Sequence, residues 1–347
     1  MTKRPDFEIA DVGIAAGTRQ TVHIPVSTLS DHTPVTLSAH VIHGSRDGPV
    51  TFVSAGIHGD EVIGVEIVRR LLRAKALKSL RGTLIVVPIV NTFGFLSHSR
   101  YLPDRRDLNR CFPGSPNGSL GSRLAHIFLT EIVTRCSLGI DLHSAAINRI
   151  NLPQIRVSAN NANTMKLAHV FGAPVILTSA LRDGSLRQEA KKMGVDVLLY
   201  EAGEGMRFDE MSVRAGLAGC LRVLKEIGML PRAGIAKPKA QPLLCANSSW
   251  LRAPAGGLLR MYKSEGDVIH EGDTVAAISD PFGDGEIDVL ARNGGIIVGR
   301  AVMPIVHEGD ALFHVAAVKS ADVAEAAVDD LALQLEEAPL FDEDEII

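Results

Sequence analysis

Apolar and polar positions alternate in short β-type runs over residues 8–48, as in Thr21-Val22-His23-Ile24-Pro25-Val26 and Val35-Thr36-Leu37-Ser38-Ala39-His40-Val41, with Gly, Asp and Pro turn signals between them. The pattern then changes. Val50–Ser54, Leu84–Val90, Leu138–Leu142, Val175–Thr178 and Val195–Glu201 are runs of strand length dense in Val, Ile and Leu, as expected of strands buried on both faces. Segments of helical spacing separate them. Val62, Ile63, Val65, Ile67, Val68, Leu71 and Leu72 fit one helix, and Leu124, Ile127, Phe128 and Ile132 a second. Ser185 with Gln188 resembles the capping box of a third, and Leu217, Cys220, Leu221 and Leu224 mark a last one before Pro231. This alternation predicts an α/β sheet with helices on both faces.

Gly234–Pro242 carries closely placed breakers and reads as a linker, after which the pattern is all-β. Ala253-Pro254-Ala255-Gly256-Gly257-Leu258-Leu259 with His270-Glu271-Gly272-Asp273 recurs as Ala291-Arg292-Asn293-Gly294-Gly295-Ile296-Ile297 with His307-Glu308-Gly309-Asp310. Two such half-units predict a small pseudo-symmetric β-sandwich, which resembles the biotinyl/lipoyl carrier fold. That fold presents a modifiable lysine on the hairpin joining its halves, here near Ile278–Gly283, yet no lysine occurs between Lys263 and Lys319. A structural cap or oligomerisation surface is the better expectation. The reading divides the chain into an N-terminal β segment (1–48), a catalytic domain (49–235), a β domain (242–318) and an acidic helix and tail (319–347).

The chemistry concentrates in Gly56-Ile57-His58-Gly59-Asp60-Glu61, where a strand hands over to a helix. Zinc takes His and Glu ligands, and a catalytic zinc keeps three protein ligands with one open position. With His58 and Glu61 as two, His143 in Ile140-Asp141-Leu142-His143-Ser144 is the best third. Ligand sites in open α/β sheets gather beyond the carboxyl ends of strands, and His58, His143 and Glu201 all fall at or after such ends. Asp60 and Asp141 are candidates to orient the imidazoles, with helix capping an equal explanation for Asp60. Glu201, with Glu204 as a nearby competitor, is a candidate general base.

In order, the His-Gly-Asp-Glu segment, Asp107-Leu108-Asn109-Arg110, Asp141-Leu142-His143 and Glu201-Ala202-Gly203 resemble the succinylglutamate desuccinylase/aspartoacylase family, a branch of the zinc carboxypeptidase-like hydrolases, over about residues 50 to 230. The resemblance implies a zinc carboxypeptidase-like mixed sheet with flanking helices. It implies one zinc on His58, Glu61 and His143, and Glu201 rather than Glu204 as general base and acid. It places Asn109 and Arg110 on the substrate carboxylate, with Arg100 helping to polarise the scissile carbonyl. The implied activity is zinc-dependent hydrolysis of the linear amide of an N-acyl amino acid or a related small N-acylated compound. The alternatives are a zinc carboxypeptidase on short peptides and a non-catalytic zinc-binding or assembly protein. A base beside a full ligand set argues against the last.

Charge and composition narrow this further. Residues 320–347 hold ten acidic and no basic side chains, leaving 30 acidic against 36 basic over the rest. A mildly positive body suits small anionic molecules, whereas basic clusters interleaved with aromatics, the mark of nucleic-acid binding, are absent. No apolar run approaches the roughly 20 residues of a membrane span, and the polar N-terminus leads into no signal-type segment. The expectation is a cytoplasmic protein, a homo-oligomer, with a small-molecule partner and neither nucleic acid nor membrane. Cys111, Cys136, Cys220 and Cys245 form no Cys-x-x-Cys pair, which predicts reduced thiols. No Gly-x-Ser-x-Gly elbow and no phosphate loop occurs, so serine-hydrolase and nucleotide chemistry lose support. Asn148–Arg156 is read as a pocket-lining segment in which Arg149 or Arg156 reads a second carboxylate, or is simply solvated.

Overall fold

A computed structural model describes residues 4–318 except 233 and 239. The expected acidic helix and tail lie outside the described residues.

A small hairpin, β1 (Phe7–Ile9) and β2 (Val12–Ile14), precedes the long antiparallel pair β3 (Thr18–Thr28) and β4 (Pro34–His43). The chain continues through β5 (Arg46–Ala55), α1 (Ile63–Arg73), β6 (Arg81–Val87), the short α2 (Thr92–Leu96), α3 (Leu120–Glu131), β7 (Leu138–His143) and β8 (Arg149–Val157). Then come α4 (Ala162–Phe171), β9 (Val175–Thr178), α5 (Leu186–Lys192), β10 (Asp196–Glu204) and α6 (Glu210–Glu226). The remainder is β: β11 (Leu243–Cys245), β12 (Ser248–Arg252), β13 (Gly257–Met261), β14 (Val268–Ile269), β15 (Thr274–Ser279), β16 (Glu286–Leu290), β17 (Gly295–Ala301), β18 (Ile305–Val306) and β19 (Ala311–Ala316).

One large mixed sheet runs β12-β19-β17-β8-β10-β7-β5-β6-β4-β3. Its centre, β10, β7, β5 and β6, is parallel, and the apolar runs of the sequence map onto these strands because helices cover both faces. On one side α1, α4 and α6 bury Ile63, Ile67, Leu71, Leu167, Phe171, Val213 and Cys220. On the other α3 and α5 bury Leu124, Phe128, Leu186 and Ala190 against Phe52 and Ile85. Gly64 lets α1 approach closely, since a Cβ there would lie 2.8 Å from that of Ala55 and 2.9 Å from that of Leu142.

Asn148–Arg156 is not a solvated loop: Arg149–Val157 is β8, a strand inside the sheet, and of the two arginines singled out in it Arg156 lines the site cavity. Pro153 cannot donate to a ladder and argues against an interior strand. It is accommodated where the β8–β10 register shifts between Glu201 and Gly203. At β8 the sheet forks. Arg149–Asn151 pairs with β17, and Gln154–Val157 pairs with β9, which pairs in turn with β11. The C-terminal β region is therefore hydrogen-bonded edge to edge to the rest, and packs its own core of Leu251, Val275, Ile278, Ile297 and Phe313 between β12-β19-β17 and the four-stranded sheet β16-β15-β13-β18.

Candidate active site

Beyond Ala55, where β5 ends, the backbone turns through Gly56 at φ 64°, and the next two residues bring His58 to the carboxyl end of the sheet. Gly59 is sterically required: a Cβ there would lie 1.9 Å from the backbone carbon of Gly94. The turn closes with Glu61 N–H donating to the His58 carbonyl at 3.2 Å, and α1 begins two residues on. His143 is the last residue of the adjacent β7. The ligand atoms of His58, Glu61 and His143 lie within 4.8 Å of one another, and all three residues are buried.

Both imidazoles turn Nδ1 toward Glu61, His58 at 2.6 Å from Oε1 and His143 at 2.7 Å from Oε2. Their outer nitrogens are held by other carboxylates: His143 Nε2 by Asp141 Oδ2 at 2.8 Å and His58 Nε2 by Asp107 Oδ1 at 3.1 Å. Asp141 is fixed in turn by Ser54 Oγ, which donates to Oδ1 at 2.8 Å. A carboxylate can only accept, so each outer nitrogen carries a proton, and a neutral imidazole in that tautomer would offer its Nδ1 lone pair to a cation bound beside Glu61. His58 Nδ1, though close to Glu61, makes no well-formed hydrogen bond and is an orphaned buried polar atom. Burial alone would lower both histidine pKa values, but the Glu61, Asp107 and Asp141 carboxylates raise them, His143 well above the ordinary value. Burial pushes Glu61 up, yet the two imidazoles hold it well below the ordinary carboxylate range. A buried cluster that draws positive charge onto itself, with two inward imidazole nitrogens and a carboxylate, fits a zinc ion.

Of the two orienting candidates, Asp141 takes that position and Asp60 does not. Asp60 is buried with Oδ1 unpartnered, and the helix start at Val62 has no side-chain cap. Burial and the Glu61 charge raise its pKa. Asp107 occupies the place beside His58. It caps the 3-10 turn Leu108–Arg110, accepting from Asn109 N–H at 2.8 Å, and Arg100 Nη2 reaches its Oδ2 at 3.3 Å. Sequence reasoning missed this role although Asp107 opens the Asp-Leu-Asn-Arg motif.

A cavity of about 160 Å³ opens over the cluster, lined by His58, His143, Arg100, Asn109, Arg110, Arg156, Arg182, Arg187 and Glu201 among others. All seven residues expected at the site reach it or, as Glu61, lie in the cluster beneath it. Glu201 stands abreast of His143, its register partner across β10 and β7. Its Oε2 accepts from Asn151 Nδ2 at 3.0 Å, and Arg156 Nη1 lies 3.4 Å from Oε1. Arg100 also donates to Glu61 Oε1 at 2.9 Å. Asn109 Oδ1 accepts from Leu186 N–H at 2.9 Å, so its carbonyl anchors the start of α5. Arg110 Nη1 donates to the Asn109 carbonyl. Glu204 does not line the cavity and accepts from Asn148 N–H at 3.0 Å. A larger cavity of about 600 Å³, between Gly17–Arg19, His43–Arg46 and Leu72–Leu80, contains none of these groups.

Fold and site together define an α/β protein with a buried two-histidine, one-carboxylate centre at the carboxyl end of a mixed sheet. The chain belongs to the succinylglutamate desuccinylase/aspartoacylase family, whose catalytic domain residues 47–227 match. It is 24% identical to N-alpha-acetyl-L-2,4-diaminobutyric acid deacetylase of Halomonas elongata over 290 residues, 78% of this chain and 83% of that one. It is 33% identical to succinylglutamate desuccinylase of Pseudomonas aeruginosa over 113 residues, 29% of this chain and 33% of that one. Among solved structures, a succinylglutamate desuccinylase/aspartoacylase from Rhodobacter sphaeroides superposes with a TM-score of 0.75 at 26% identity, covering 86% of this chain and 96% of the other. The product-bound ectoine utilization protein EutE (DoeB) of Ruegeria pomeroyi shares the fold with a TM-score of 0.76 at 23% identity, covering 85% and 95%. Among the described residues no helix is long and apolar enough to cross a membrane.

Proposed function

We propose that this protein is a zinc-dependent deacylase that hydrolyses the linear amide of a small N-acyl amino acid, with one zinc per chain held by His58, Glu61 and His143. When bound, the metal supplies Lewis-acid activation of water and of the scissile carbonyl. The observation that carries the reading is the placement of Glu201. It shares the cavity with the ligand cluster, one strand from His143, and is not itself part of the cluster. From there Glu201 takes a proton from the attacking water and returns it to the departing nitrogen. Arg110, on the same cavity wall, binds the substrate carboxylate through its planar fork. Arg100 bridges Glu61 and Asp107 and keeps a positive charge near the place where the carbonyl oxygen develops negative charge. The named deacetylase and desuccinylase relatives support acyl amino acids over peptides. The C-terminal β domain, taken as 242–318, is a structural support paired to β8 and not a carrier.

The test is hydrolysis by the zinc-loaded protein of N-acetyl diamino acids, N-acetyl and N-succinyl amino acids, and dipeptides, alongside Glu201→Gln. Cleavage of one acylated class, with zinc retained and turnover reduced on the order of 10²–10⁴-fold in Glu201→Gln, is expected. A zinc-loaded protein that cleaves none of them, or a Glu201→Gln variant with full turnover, overturns the reading.

A further inference from the structure

Glu201 is linked through β8 to the C-terminal β domain. Its Oε2 accepts from the side chain of Asn151 on β8, and Asn151 is the register partner of Gly299 on β17. Because a carboxylate only accepts, the Asn151 amide presents its nitrogen to Glu201 and turns its oxygen toward β17. Gly299 makes room for that oxygen: a Cβ at position 299 would come within 2.5 Å of Asn151 Oδ1 and 3.0 Å of the Ile150 carbonyl. A second β8 residue is fixed by the same strand. β17 shifts register between Ile297 and Gly299, and the Val298 carbonyl accepts from Gln154 Nε2 at 3.1 Å. Gln154 is buried and is the register partner of Glu201.

We propose that Asn151 is the positioning residue of the general base, and that the missing side chain at Gly299 is what allows the C-terminal domain to seat it. The inference rests on Glu201 being the base. Asn151 binds one carboxylate oxygen at 3.0 Å and leaves the other, with only the 3.4 Å contact to Arg156, as the oxygen that handles the proton. Fixing one oxygen restricts the rotation of the carboxylate, and a small misplacement of a reacting group costs rate steeply. The C-terminal domain is thus a component of the active site although none of its residues is required to touch the substrate.

Zinc-loaded full-length Asn151→Ala, Asn151→Asp, Gly299→Ala and the Asn151→Ala/Gly299→Ala double variant are compared for kcat, KM and zinc content. Each single variant is expected to lose on the order of 10-fold in kcat, with KM within about twofold and zinc unchanged. Asn151→Asp, which keeps the shape but sets a like charge against Glu201, is expected to be slower than Asn151→Ala; a packing role gives the opposite order. Gly299→Ala is expected to cost clearly less in the Asn151→Ala background than in the wild type, since the collision with Asn151 Oδ1 is gone and only the 3.0 Å approach to the Ile150 carbonyl remains. Wild-type kcat in Asn151→Ala, Asn151→Asp faster than Asn151→Ala, or additive losses in the double variant overturn the inference. Should Gly299→Ala fail to fold, the order of the two Asn151 variants still decides it. An inactive Glu201→Gln beside fully active Asn151 variants refutes the positioning role alone, whereas an active Glu201→Gln refutes the base and the positioning role together.

Discussion

His58 Nε2 and Asp107 Oδ1 stand 3.1 Å apart, joined across 49 residues of sequence, so that the imidazole and its orienting carboxylate come from different motifs. Burial raises the Asp107 pKa, but His58 and Arg100 outweigh it and hold the group far below the ordinary carboxylate range. Asp107 is therefore ionised at any working pH and keeps the Nε2 proton of His58 in place. Losing such an orienting group weakens metal binding by roughly 10–100-fold. Asp107→Asn is expected to show that loss in competition with a zinc-chelating dye, while Asp60→Asn, at a carboxylate without an imidazole partner, keeps wild-type affinity. Equal affinity in Asp107→Asn and the wild type refutes the assignment.

Gly59 sets the separation of two ligands on one short turn. With the Gly94 backbone 1.9 Å from the place of a Cβ, Gly59→Ala must displace either the His58–Glu61 turn or the segment that starts at Asn91. The variant is expected to lose most of its zinc by elemental analysis while keeping a far-ultraviolet circular dichroism spectrum close to wild type. Full zinc occupancy contradicts the close packing described here.

Arg110→Lys separates charge from geometry. Lysine keeps the charge but not the planar fork, so kcat/KM for the free-acid substrate is expected to fall by more than about tenfold. Amidating the substrate carboxylate should impose a comparable loss on the wild type and little further loss on the variant. If the wild type cleaves free acid and amide equally well, Arg110 does not read a carboxylate.

The β domain adds a pH dependence of its own. His314 stacks on Trp250, with ring centroids 4.8 Å apart and planes 9° from parallel. Burial, with a smaller contribution from the charge of Arg156, lowers its pKa to about 4. Between that value and the ordinary 6.5, the unfolded chain binds the proton and the folded chain does not, so stability rises with pH across the interval. The contribution is complete above about pH 6.5 and is lost as pH falls toward 4. His314→Phe keeps an aromatic ring without the titration, and its thermal midpoint is expected to drop less than that of the wild type between pH 7 and pH 4.5. Parallel decreases in the two proteins rule His314 out.

The sequence by itself determined the parts whose signal is local. β5, β7, β9 and β10 are legible as Val, Ile and Leu runs because each is buried on both faces, and His58, Glu61 and His143 because a strand end places its ligands within a few residues. β8 was hidden because Pro153 and the polar residues Asn151, Gln154 and Arg156 interrupt it. Their partners are remote: Glu201 lies 50 residues from Asn151, and Val298 lies 144 from Gln154. Tertiary structure alone put Asp107, and not the expected Asp60, beside His58, since only folding sets a carboxylate 49 residues away against the ring. It also turned the Asn109 carbonyl oxygen to the backbone of α5, and joined the C-terminal β region to β8 beside Glu201. Local burial patterns write themselves into consecutive residues, whereas the direction of a polar side chain depends on which distant group the fold brings within 3 Å of it.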